Sequence, residues 1–382
     1  MHLSIASPED ISIYVHVPFC SRKCDYCHFY TIPIKEKFEE LFMNGLQFEW
    51  ERYKSDLEEK KLKSIYFGGG TPILLGARNI EKILEWIGRK FSLNNVEISL
   101  EANPENISYS MMKNYSDMGI KRVSIGVQSF SNKLLKLLGR SHDSLQAVDA
   151  VLSTFEAGIS NISIDLMYDL PKQTLKDWEN TLDTAKRLPI AHLSLYNLTI
   201  EPHTVFYKKR NAISKNLPNE KNSKKMLTRA IEFLNSIGLK QYEISSFAKN
   251  KRYSIHNTGY WLGRSFLGLG PSAFSYWKKA RFKNIANINR YHQYLKEKNT
   301  AKDFEERLHF KNRIRELFTL QLRLNSGINL SYFEKRHGKL EEETKKTILQ
   351  LKDEGLLKDL KGKISLTKQG ILFYDSIAAE LI

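Results

Sequence analysis

The sequence predicts an α/β protein: an incomplete (β/α)6 barrel followed by a mainly helical, winged-helix-like C-terminal domain. Over the first two hundred residues, six short β-branched segments alternate with longer segments of helical period, which is typical of a parallel sheet covered by helices. Unusual polar residues follow these segments, at the strand ends that carry the chemistry in (β/α) barrels. An open doubly wound sheet also fits the strand count, but this polar edge favours the barrel.

Six strands and at least six helices are expected in the first region. The predicted strands lie at 11–17, 63–68, 96–102, 121–128, 161–167 and 192–198. The first predicted helix has one apolar side formed by Phe38, Leu41, Phe42, Leu46, Trp50 and Tyr53. The others lie at roughly 78–91, 108–118, 131–138, 144–157 and 174–187.

The alternation ends near residue 205, so three domains are predicted, at 1–205, 206–300 and 301–382. The middle one begins with a helix at 223–239 and a strand that runs into a loop at 240–248, and it continues with a glycine- and aromatic-rich segment of weak periodicity. The last one has the order helix, helix, hairpin-like segment and helix, which is typical of winged-helix modules.

Composition indicates a globular protein, because 41% of the 382 residues are hydrophobic and 11% are aromatic. No apolar run approaches the ~20 residues of a membrane span, and the first fourteen residues lack the features of a signal peptide. Three clustered thiols form no disulfide framework. We therefore expect a cytoplasmic protein without a transmembrane segment, and peripheral membrane contact stays open.

The formal net charge of +16 fits an acidic small ligand, an anionic membrane surface or a nucleic acid. The lysines are scattered along the chain, so a basic surface composition explains the charge equally well. Because charge and a winged-helix-like tail are weak indications of nucleic-acid binding, no specific nucleic acid is expected as a partner.

All three cysteines of the chain, Cys20, Cys24 and Cys27, lie within eight positions directly after the first predicted strand. A structural zinc site requires four protein ligands around the ion. The remaining candidate here, His28, is adjacent to Cys27, and neighbouring residues rarely bind one tetrahedral ion together. Chance clustering of inert thiols is the second alternative. An iron–sulfur cluster held by three thiolates would leave one iron open for a substrate or cofactor, and the spacing Cys-x3-Cys-x2-Cys favours this interpretation.

This cysteine spacing, after the first strand of a βα barrel, resembles that of the radical S-adenosylmethionine (SAM) superfamily. In that superfamily, the open iron binds the amino and carboxylate groups of SAM, and one electron splits SAM into methionine and a 5′-deoxyadenosyl radical. The resemblance implies a [4Fe–4S] cluster on the three cysteines. It also implies SAM contacts at Tyr14, Tyr26, Gly69, Gly70, Thr71, Glu101, Gln128, Arg140 and Asp165.

The residues themselves agree with such a site, although each has a structural alternative. Glycines after a strand let backbone approach a ligand closely, but they also form ordinary tight turns. Glu101 and Asp165 are carboxylates late in apolar strands, which is costly unless they are paired. Asp165 suits ribose hydroxyls and Arg140 suits a carboxylate, whereas buried structural pairs would explain them without a ligand.

Several longer segments extend the resemblance from about residue 11 to the C-terminus. They resemble the oxygen-independent coproporphyrinogen III oxidase group, and within it the heme-chaperone branch: YVHVPFC, FGGGTP, SLEANP, RVSIGVQSF, LGRSH, IDLMYDLPKQT and HNTGYW. One departure is Asp169, where members of the group usually carry glycine, which leaves the local loop shape open.

Two features separate the chaperone branch from the oxidase. The oxidase resembles Cys-x3-Cys-x2-Cys-x-Cys, and the place of its fourth cysteine is held here by Phe29. The oxidase also carries an N-terminal extension, and only about a dozen residues precede Tyr14. We therefore expect no oxidative decarboxylation of porphyrinogen propionates.

The segment HNTGYW, with His256, Tyr260 and Trp261, resembles the His-Asn-x-x-Tyr-Trp motif of the chaperone branch, which is implicated in heme binding. Imidazole is a common ligand of heme iron, and aromatic rings offer flat apolar faces to a macrocycle. Basic residues such as Lys251, Arg252 and Arg264 would meet its propionates. Without the resemblance, His256 reads as a surface or helix-capping histidine.

We therefore expect a heme chaperone that holds a [4Fe–4S] cluster and SAM, binds heme, and transfers it to an acceptor protein. The alternative is an enzyme, either the coproporphyrinogen oxidase itself or another radical SAM enzyme. The identity of the acceptor, covalent or non-covalent heme attachment, SAM cleavage and homodimerisation stay open.

Overall fold

The structure is a computed structural model that describes residues 7–382. Residues 1–6, which belong to the segment interpreted as lacking a signal peptide, lie outside the described residues. Six strands form the first part of the chain: β1 (Asp10–Val17), β2 (Lys61–Gly69), β3 (Glu97–Ala102), β4 (Arg122–Gln128), β5 (Asn161–Tyr168) and β6 (His192–Asn197). Six helices lie between them, two of them between β4 and β5: α1 (Glu36–Tyr53), α2 (Ala77–Gly88), α3 (Tyr109–Asp117), α4 (Asn132–Leu137), α5 (Ser144–Glu156) and α6 (Leu175–Lys186).

The six strands pair in parallel and in sequence order, from β1 to β6, which confirms the predicted barrel scaffold. Their near-continuous apolar runs follow from burial on both faces; every residue of β4, for example, is buried. Two of the covering helices begin with a capping box, at Asp143 for α5 and at Thr174 for α6.

The second part of the chain adds strands to both edges of the same sheet. Its elements are α7 (Val205–Lys208), α8 (Arg210–Ser214), α9 (Glu220–Ser236), β7 (Lys240–Glu243), β8 (Ser246–Ala248), α10 (Ile255–Trp261), β9 (Ser265–Leu269), β10 (Phe274–Trp277), β11 (Ala280–Asn284), α11 (Ile288–Lys298) and β12 (Lys302–Glu306). The complete strand order is β12-β11-β10-β9-β1-β2-β3-β4-β5-β6-β8-β7. Within the described part of the chain, no pairing of β12 with β7 closes this sheet, so the barrel is incomplete.

One local expectation for this part was wrong, and one segment without a clear pattern is regular. The segment 240–248 is a two-stranded hairpin, because β7 reverses into β8 and both lie beyond β6. The segment 255–277 is regular despite its weak periodicity: it forms α10, β9 and β10. Its pattern is hidden because β9 is a short strand that pairs in parallel with β1, some 250 residues earlier in the chain, rather than with a neighbour in sequence.

The C-terminal part has its own small sheet and its own apolar core. It contains α12 (Phe310–Gln321), β13 (Ile328–Asn329), α13 (Leu330–His337), α14 (Glu342–Asp353), β14 (Leu357–Leu360), β15 (Lys363–Leu366), α15 (Lys368–Leu372) and α16 (Tyr374–Leu381). Strands β13, β15 and β14 form a three-stranded sheet. A separate hydrophobic cluster, which includes Phe318 and Phe333, lies between them and the helices. The predicted order of helices and hairpin is confirmed.

The C-terminal part is tied to the barrel at β7. Ile244 donates a backbone hydrogen bond to the Arg323 carbonyl at 3.2 Å, and Asn325 donates one to the Tyr242 carbonyl at 3.0 Å. The division into domains at 1–205, 206–300 and 301–382 stays a prediction. The middle segment adds strands to the sheet of the barrel, and one of these strands, β12, lies beyond residue 300. None of the helices in residues 7–382 is long and apolar enough to cross a membrane.

A buried carboxylate fastens α1 to the added strands. Glu49 accepts hydrogen bonds from the Gly270 amide at 2.8 Å, the Asn284 side-chain amide at 2.6 Å and the Tyr291 hydroxyl at 2.6 Å. Burial raises the pKa of Glu49 to about 7, because few water molecules are available to solvate the charged form.

Replacing this carboxylate should destabilise the fold. Glu49→Ala leaves three buried donors without an acceptor, each at a cost of roughly 1–3 kcal/mol, so the free energy of unfolding should fall by about 3 kcal/mol or more. Urea titration measures this change. A loss below about 1 kcal/mol would contradict the role assigned to Glu49.

The same residue predicts a pH dependence. The unfolded carboxyl titrates near 4.5 and the folded one near 7, so between these values the folded state holds more protons and stability falls as the pH rises. One such group contributes at most about 1.4 kcal/mol per pH unit. Urea titrations at pH 5.5 and 7 should show a smaller fall for Glu49→Gln than for the wild type, and an equal fall would exclude Glu49 as a source.

Candidate functional site

The cysteines lie on a closed loop at the carboxyl end of β1. The Cys20 amide donates to the Ile32 carbonyl at 3.0 Å, and the Ile32 amide donates to the Pro18 carbonyl at 2.7 Å, which pinches the loop at its base. Within the loop, the Cys27 amide donates to the Cys24 carbonyl at 3.1 Å. The three thiols are therefore presented together from one short segment, and all are free and partly buried.

Two side chains contact the thiols, one from just after β2 and one from just after α4. The Cys20 sulfur lies 3.4 Å from the Thr71 hydroxyl, and Arg140 donates to the Cys24 sulfur at 3.4 Å. Burial raises the pKa of Cys20 to about 11 and also raises that of Cys27, so these thiols are protonated unless a metal takes the place of the proton. Within residues 7–382, no three Cys, His, Asp or Glu side chains converge as ligands of one metal ion.

Gly69 and Gly70 end β2 directly against β1 and the start of the cysteine loop. Gly70 donates to the Val17 carbonyl at 2.8 Å, and a Cβ on Gly70 would lie 2.6 Å from the Phe19 carbonyl oxygen. Gly69 has a φ of 109° and a Cβ there would lie 2.7 Å from the His16 ring. Glycine is required at both positions because the chain packs closely against itself there. The sequence argument attributed the need for glycine to the close approach of a ligand.

The two predicted carboxylates are buried among hydroxyl groups. Glu101 accepts from the Tyr66 hydroxyl at 2.7 Å and from the Gly69 amide at 3.2 Å. Asp165 accepts from the Ser124 hydroxyl at 3.2 Å. Burial raises the pKa of Glu101 to about 7 and that of Asp165 to about 6. Neither carboxylate has a cation at hydrogen-bond distance among the described residues, and their partners are hydroxyl groups and a backbone amide.

Asn103 is a residue that the sequence argument missed. Its amide nitrogen donates to the Thr71 hydroxyl at 3.0 Å, and its carbonyl oxygen accepts from Arg140 at 2.7 Å. It therefore joins the two side chains that contact the cysteine sulfurs. Its place two residues after Glu101, at the carboxyl end of β3, was the available signal, because that edge collects the polar residues.

Arg140 and Gln128 lie on either side of the same strand end. Arg140 also donates to the Gly126 carbonyl at 2.7 Å. Gln128 has a φ of 63°, an uncommon conformation for a non-glycine residue. A Cβ on Gly126 would lie 3.1 Å from the Gln128 amide nitrogen. Strand β4 thus ends with a turned backbone that brings the Gln128 side chain back beside Arg140.

Of the two predicted tyrosines, Tyr14 lies in β1 and Tyr26 lies within the cysteine loop. The Tyr14 hydroxyl lies 3.1 Å from Nδ1 of His16, and its ring stacks on Tyr66 at 6.2 Å between centroids. The ring of Tyr26 packs against Phe206 at 6.4 Å. His16, which the sequence argument also missed, is buried with Nε2 3.2 Å from the Tyr30 carbonyl. Its position in the YVHVPFC segment was the signal for it.

Asp169, where glycine was expected, keeps a glycine-like backbone. Its φ is 60°, in the left-handed region that aspartate tolerates better than most residues. Its side chain accepts a hydrogen bond from Ser223 of α9. The departure from the group's pattern therefore preserves the loop shape after β5.

His256 lies inside the barrel rather than on a loop. It belongs to α10, which begins at the N-cap Ser254, and it is 1% exposed. Its Nδ1 lies 2.9 Å from the Ser64 hydroxyl and its Nε2 lies 2.7 Å from the Tyr260 hydroxyl. Both ring nitrogens are thus occupied, so the alternative of a surface histidine is wrong, and direct iron ligation would require one of these two bonds to open.

A cavity of about 1540 Å³ opens beside the cysteine loop, between β9–β10 and the C-terminal α12–α13. This exceeds the ~300–1,000 Å³ of ordinary small-molecule sites. Tyr260 and Trp261 line it. Three further lining residues are phenylalanines with half-exposed rings, Phe29 at 49% and Phe274 and Phe310 at 52% each. Large apolar rings left open to solvent around a concave surface indicate a ligand-binding site.

Basic side chains outnumber acidic ones around this cavity. Arg281 is paired with Glu306 and Glu316. Lys283 lies 5.1 Å from the ring centroid of Phe274, and the Arg313 guanidinium lies 5.4 Å from that of Phe310. The mouth therefore offers flat apolar surfaces, each with a cation beside it. Of the basic residues named from sequence, Arg264 lines this cavity, whereas Lys251 and Arg252 are not among its described lining residues.

Comparisons with known proteins agree with this architecture. The Radical SAM superfamily matches residues 14–185, and the HemN C-terminal domain matches residues 308–373. The heme chaperone HemW of Lactococcus lactis subsp. lactis (strain IL1403) is 34% identical over 362 residues, 94% of this chain and 94% of the relative. The heme chaperone HemW of Bacillus subtilis (strain 168) is 32% identical over 96% of this chain and 97% of the relative. This chain belongs to the HemW family of radical SAM proteins.

A solved structure supports the fold of this HemW family member. The structure described as coproporphyrinogen III oxidase (HemN) from Escherichia coli, a radical SAM enzyme, matches with a TM-score of 0.86 over 99% of this chain and 91% of that chain. The two sequences are 24% identical, so the likeness concerns the fold alone.

Removing the bridge between the two thiol-contacting side chains should weaken the site. Asn103→Ala leaves Thr71 and Arg140 without their shared partner, and loss of such outer contacts typically costs about 10–100-fold in metal affinity. After anaerobic reconstitution with iron and sulfide, the variant should lose iron to a chelator faster than the wild type. Asn114→Ala, on the exposed face of α3, is the matched control. Equal iron loss in both variants would contradict the role of Asn103.

Proposed function

We propose that this chain is a heme chaperone. It binds heme in the cavity between the barrel and the C-terminal part, carries a [4Fe–4S] cluster and SAM at the carboxyl edge of the sheet, and transfers heme to an acceptor protein. The observation that carries the proposal is the cavity itself, with its half-exposed phenylalanine rings and adjacent cations. The family relatives named heme chaperones support it.

Cys20, Cys24 and Cys27 are the residues that would hold the cluster, and the donor set fits, since three thiolates leave one iron open. When bound, such a cluster supplies a coordination position for SAM and an electron to it. Arg140 next to the Cys24 sulfur offsets negative charge on the thiolates. Glu101 and Asp165 carry buried oxygens suited to an ammonium group and to ribose hydroxyls.

The same edge of the sheet supports the remaining proposed SAM contacts. Thr71 and Gln128 lie beside Asn103 and Arg140, and Tyr14 closes the other side. Tyr26 stands among apolar side chains near Phe206, where its contribution is to keep water away from the thiols. Gly69 and Gly70 hold β2 against the cysteine loop, so their part in SAM binding is to keep the two segments in register.

The amphiphilic mouth of the cavity matches the chemistry of heme. The macrocycle is flat and apolar, and aromatic rings such as Trp261, Phe274 and Phe310 offer it matching faces. The propionates are anionic, and Lys283 and Arg313 lie beside two of these rings. Heme transfer to an acceptor protein and a cytoplasmic location remain predictions.

The second candidate function is coproporphyrinogen oxidation, because the fold resembles that of the oxidase. Phe29, in the place of the fourth cysteine, argues against it: its ring is half-exposed at the cavity and forms part of the apolar wall. An anaerobic assay with the reconstituted protein and SAM should show no conversion of coproporphyrinogen III to protoporphyrinogen IX. Sustained conversion of coproporphyrinogen III would contradict the chaperone proposal.

The cations at the mouth should strengthen heme binding through the propionates. Exposed ion pairs contribute about 0.2–1 kcal/mol each, so the double variant Lys283→Ala/Arg313→Ala should bind heme about fivefold more weakly by spectroscopic titration. Heme dimethyl ester, which lacks the two negative charges, should bind the wild type and the double variant equally. A double variant at other surface lysines, Lys186→Ala/Lys240→Ala, serves as the control for general charge.

The comparison has two outcomes that count against the proposal. Equal heme affinity of the wild type and the Lys283→Ala/Arg313→Ala variant would remove these residues from the binding site. An absence of saturable heme binding by the wild type would remove the function itself.

A further inference from the structure

Among residues 7–382, three histidines line the cavity, and they differ in what their imidazole rings can reach. In His16 both ring nitrogens are engaged, with the Tyr14 hydroxyl at 3.1 Å and the Tyr30 carbonyl at 3.2 Å. In His337 the Nε2 atom is shielded from solvent, so a ligand in the open cavity does not reach it. The third is His28, which is exposed on the cysteine loop. The imidazole that a bound ligand can reach is therefore that of His28.

The His28 imidazole has no internal partner to give up. It forms no hydrogen bond or ion pair with any of the residues 7–382, and its ring contact is with Phe29, at 4.5 Å between centroids and 30° between planes. A neutral imidazole carries a lone pair on one ring nitrogen, and this lone pair is a common ligand of heme iron. Ligation at His28 thus breaks no internal hydrogen bond, whereas ligation at His256 would break one.

The backbone around His28 is fixed, although the imidazole itself is free. Lys23 donates through its Nζ to the Phe29 carbonyl at 2.9 Å. One residue further along, the Tyr30 hydroxyl accepts a hydrogen bond from the Ile288 amide at 2.9 Å. A side chain presented from a fixed backbone loses less conformational entropy on binding than one on a mobile segment. The loop therefore presents the imidazole from a defined place in the cavity wall.

The wall near the cysteine loop also offers a cation and flat apolar faces. Phe274 lines the cavity, and Lys283 lies 5.1 Å from the centroid of its ring. Burial and the nearby charge of Lys283 lower the pKa of His16 to about 4, which places this cation close to the base of the loop. A partner for a propionate and a ligand for iron are thus found on the same side of the cavity.

We propose that His28 is the protein ligand of the heme iron, so that heme binds beside the cysteine loop. The proposal rests on the proposed heme-binding function and names the iron ligand within it. His28 follows Cys27 directly in the chain, and consecutive Cα atoms are about 3.8 Å apart. One short loop then holds both the iron–sulfur cluster and the heme, through adjacent residues.

The test compares absorption and electron paramagnetic resonance spectra of ferric heme bound to the reconstituted wild type and to His28→Ala. His28→Ala should lose the signature of nitrogen ligation, shift the Soret band, and release heme to apomyoglobin about tenfold faster or more. His292→Ala, on α11 and outside the described lining of the cavity, is the matched control and should keep the wild-type spectrum.

Two further measurements distinguish lost ligation from damage to the cluster or to the fold. The iron and sulfide contents of His28→Ala before heme is added should equal those of the wild type, because the three thiols hold the cluster. His28→Gly should regain the wild-type heme spectrum when imidazole is added, which a misfolded variant would not do.

Several outcomes would overturn the proposal. One is an unchanged heme spectrum in His28→Ala, and another is loss of nitrogen ligation in His256→Ala or His337→Ala alone. Equal losses in His28→Ala and His292→Ala would show adventitious coordination by surface imidazoles only, and loss of the cluster from His28→Ala would assign His28 to the cluster instead. If the wild type binds no heme, the proposed function itself fails, which is a different result.

Discussion

Strand β1 is the element on which both sites depend. It pairs in parallel with β2 on one edge and with β9 on the other. The first pairing places His16 opposite Gly68 and brings the glycines against the start of the cysteine loop. The second places Ser12 opposite Phe266 and sets the Tyr260–Trp261 wall beside it. A register shift of one residue would turn every side chain of β1 to the other face, and both sites would be lost together.

The two sites share a border. The cysteine loop carries the thiols on one side and continues through His28 and Phe29 into the cavity wall on the other. Phenylalanine at position 29 therefore does more than leave the loop without a fourth thiol. It also adds an apolar ring to the surface that faces the cavity. The cavity's other wall comes from the C-terminal part, so its width depends on the contacts of Arg323 and Asn325 with β7. Bound heme would thus be sensitive to both parts of the chain.

Patterns that are local in sequence were predictable. The six parallel strands follow from alternating segments, and the thiol loop and strand-end residues follow from a spaced motif together with a family resemblance. What depends on distant pairing was not predictable. The burial of His256 requires α10 to pack on β2, and β9 becomes a strand only because β1 offers it an edge. The cavity has no local pattern in the sequence, since residues more than 300 positions apart form its walls. Asn103 is an intermediate case: no motif named it, but it lies close to the predicted Glu101, at the strand-end edge where polar residues collect.

The most direct test is iron-anomalous diffraction from crystals of the anaerobically reconstituted protein with heme. The account predicts two separate iron centres, one on Cys20, Cys24 and Cys27 and one inside the cavity, with the macrocycle against Trp261. A heme iron found outside this cavity, or one ligated by His256 inside the barrel, would contradict it.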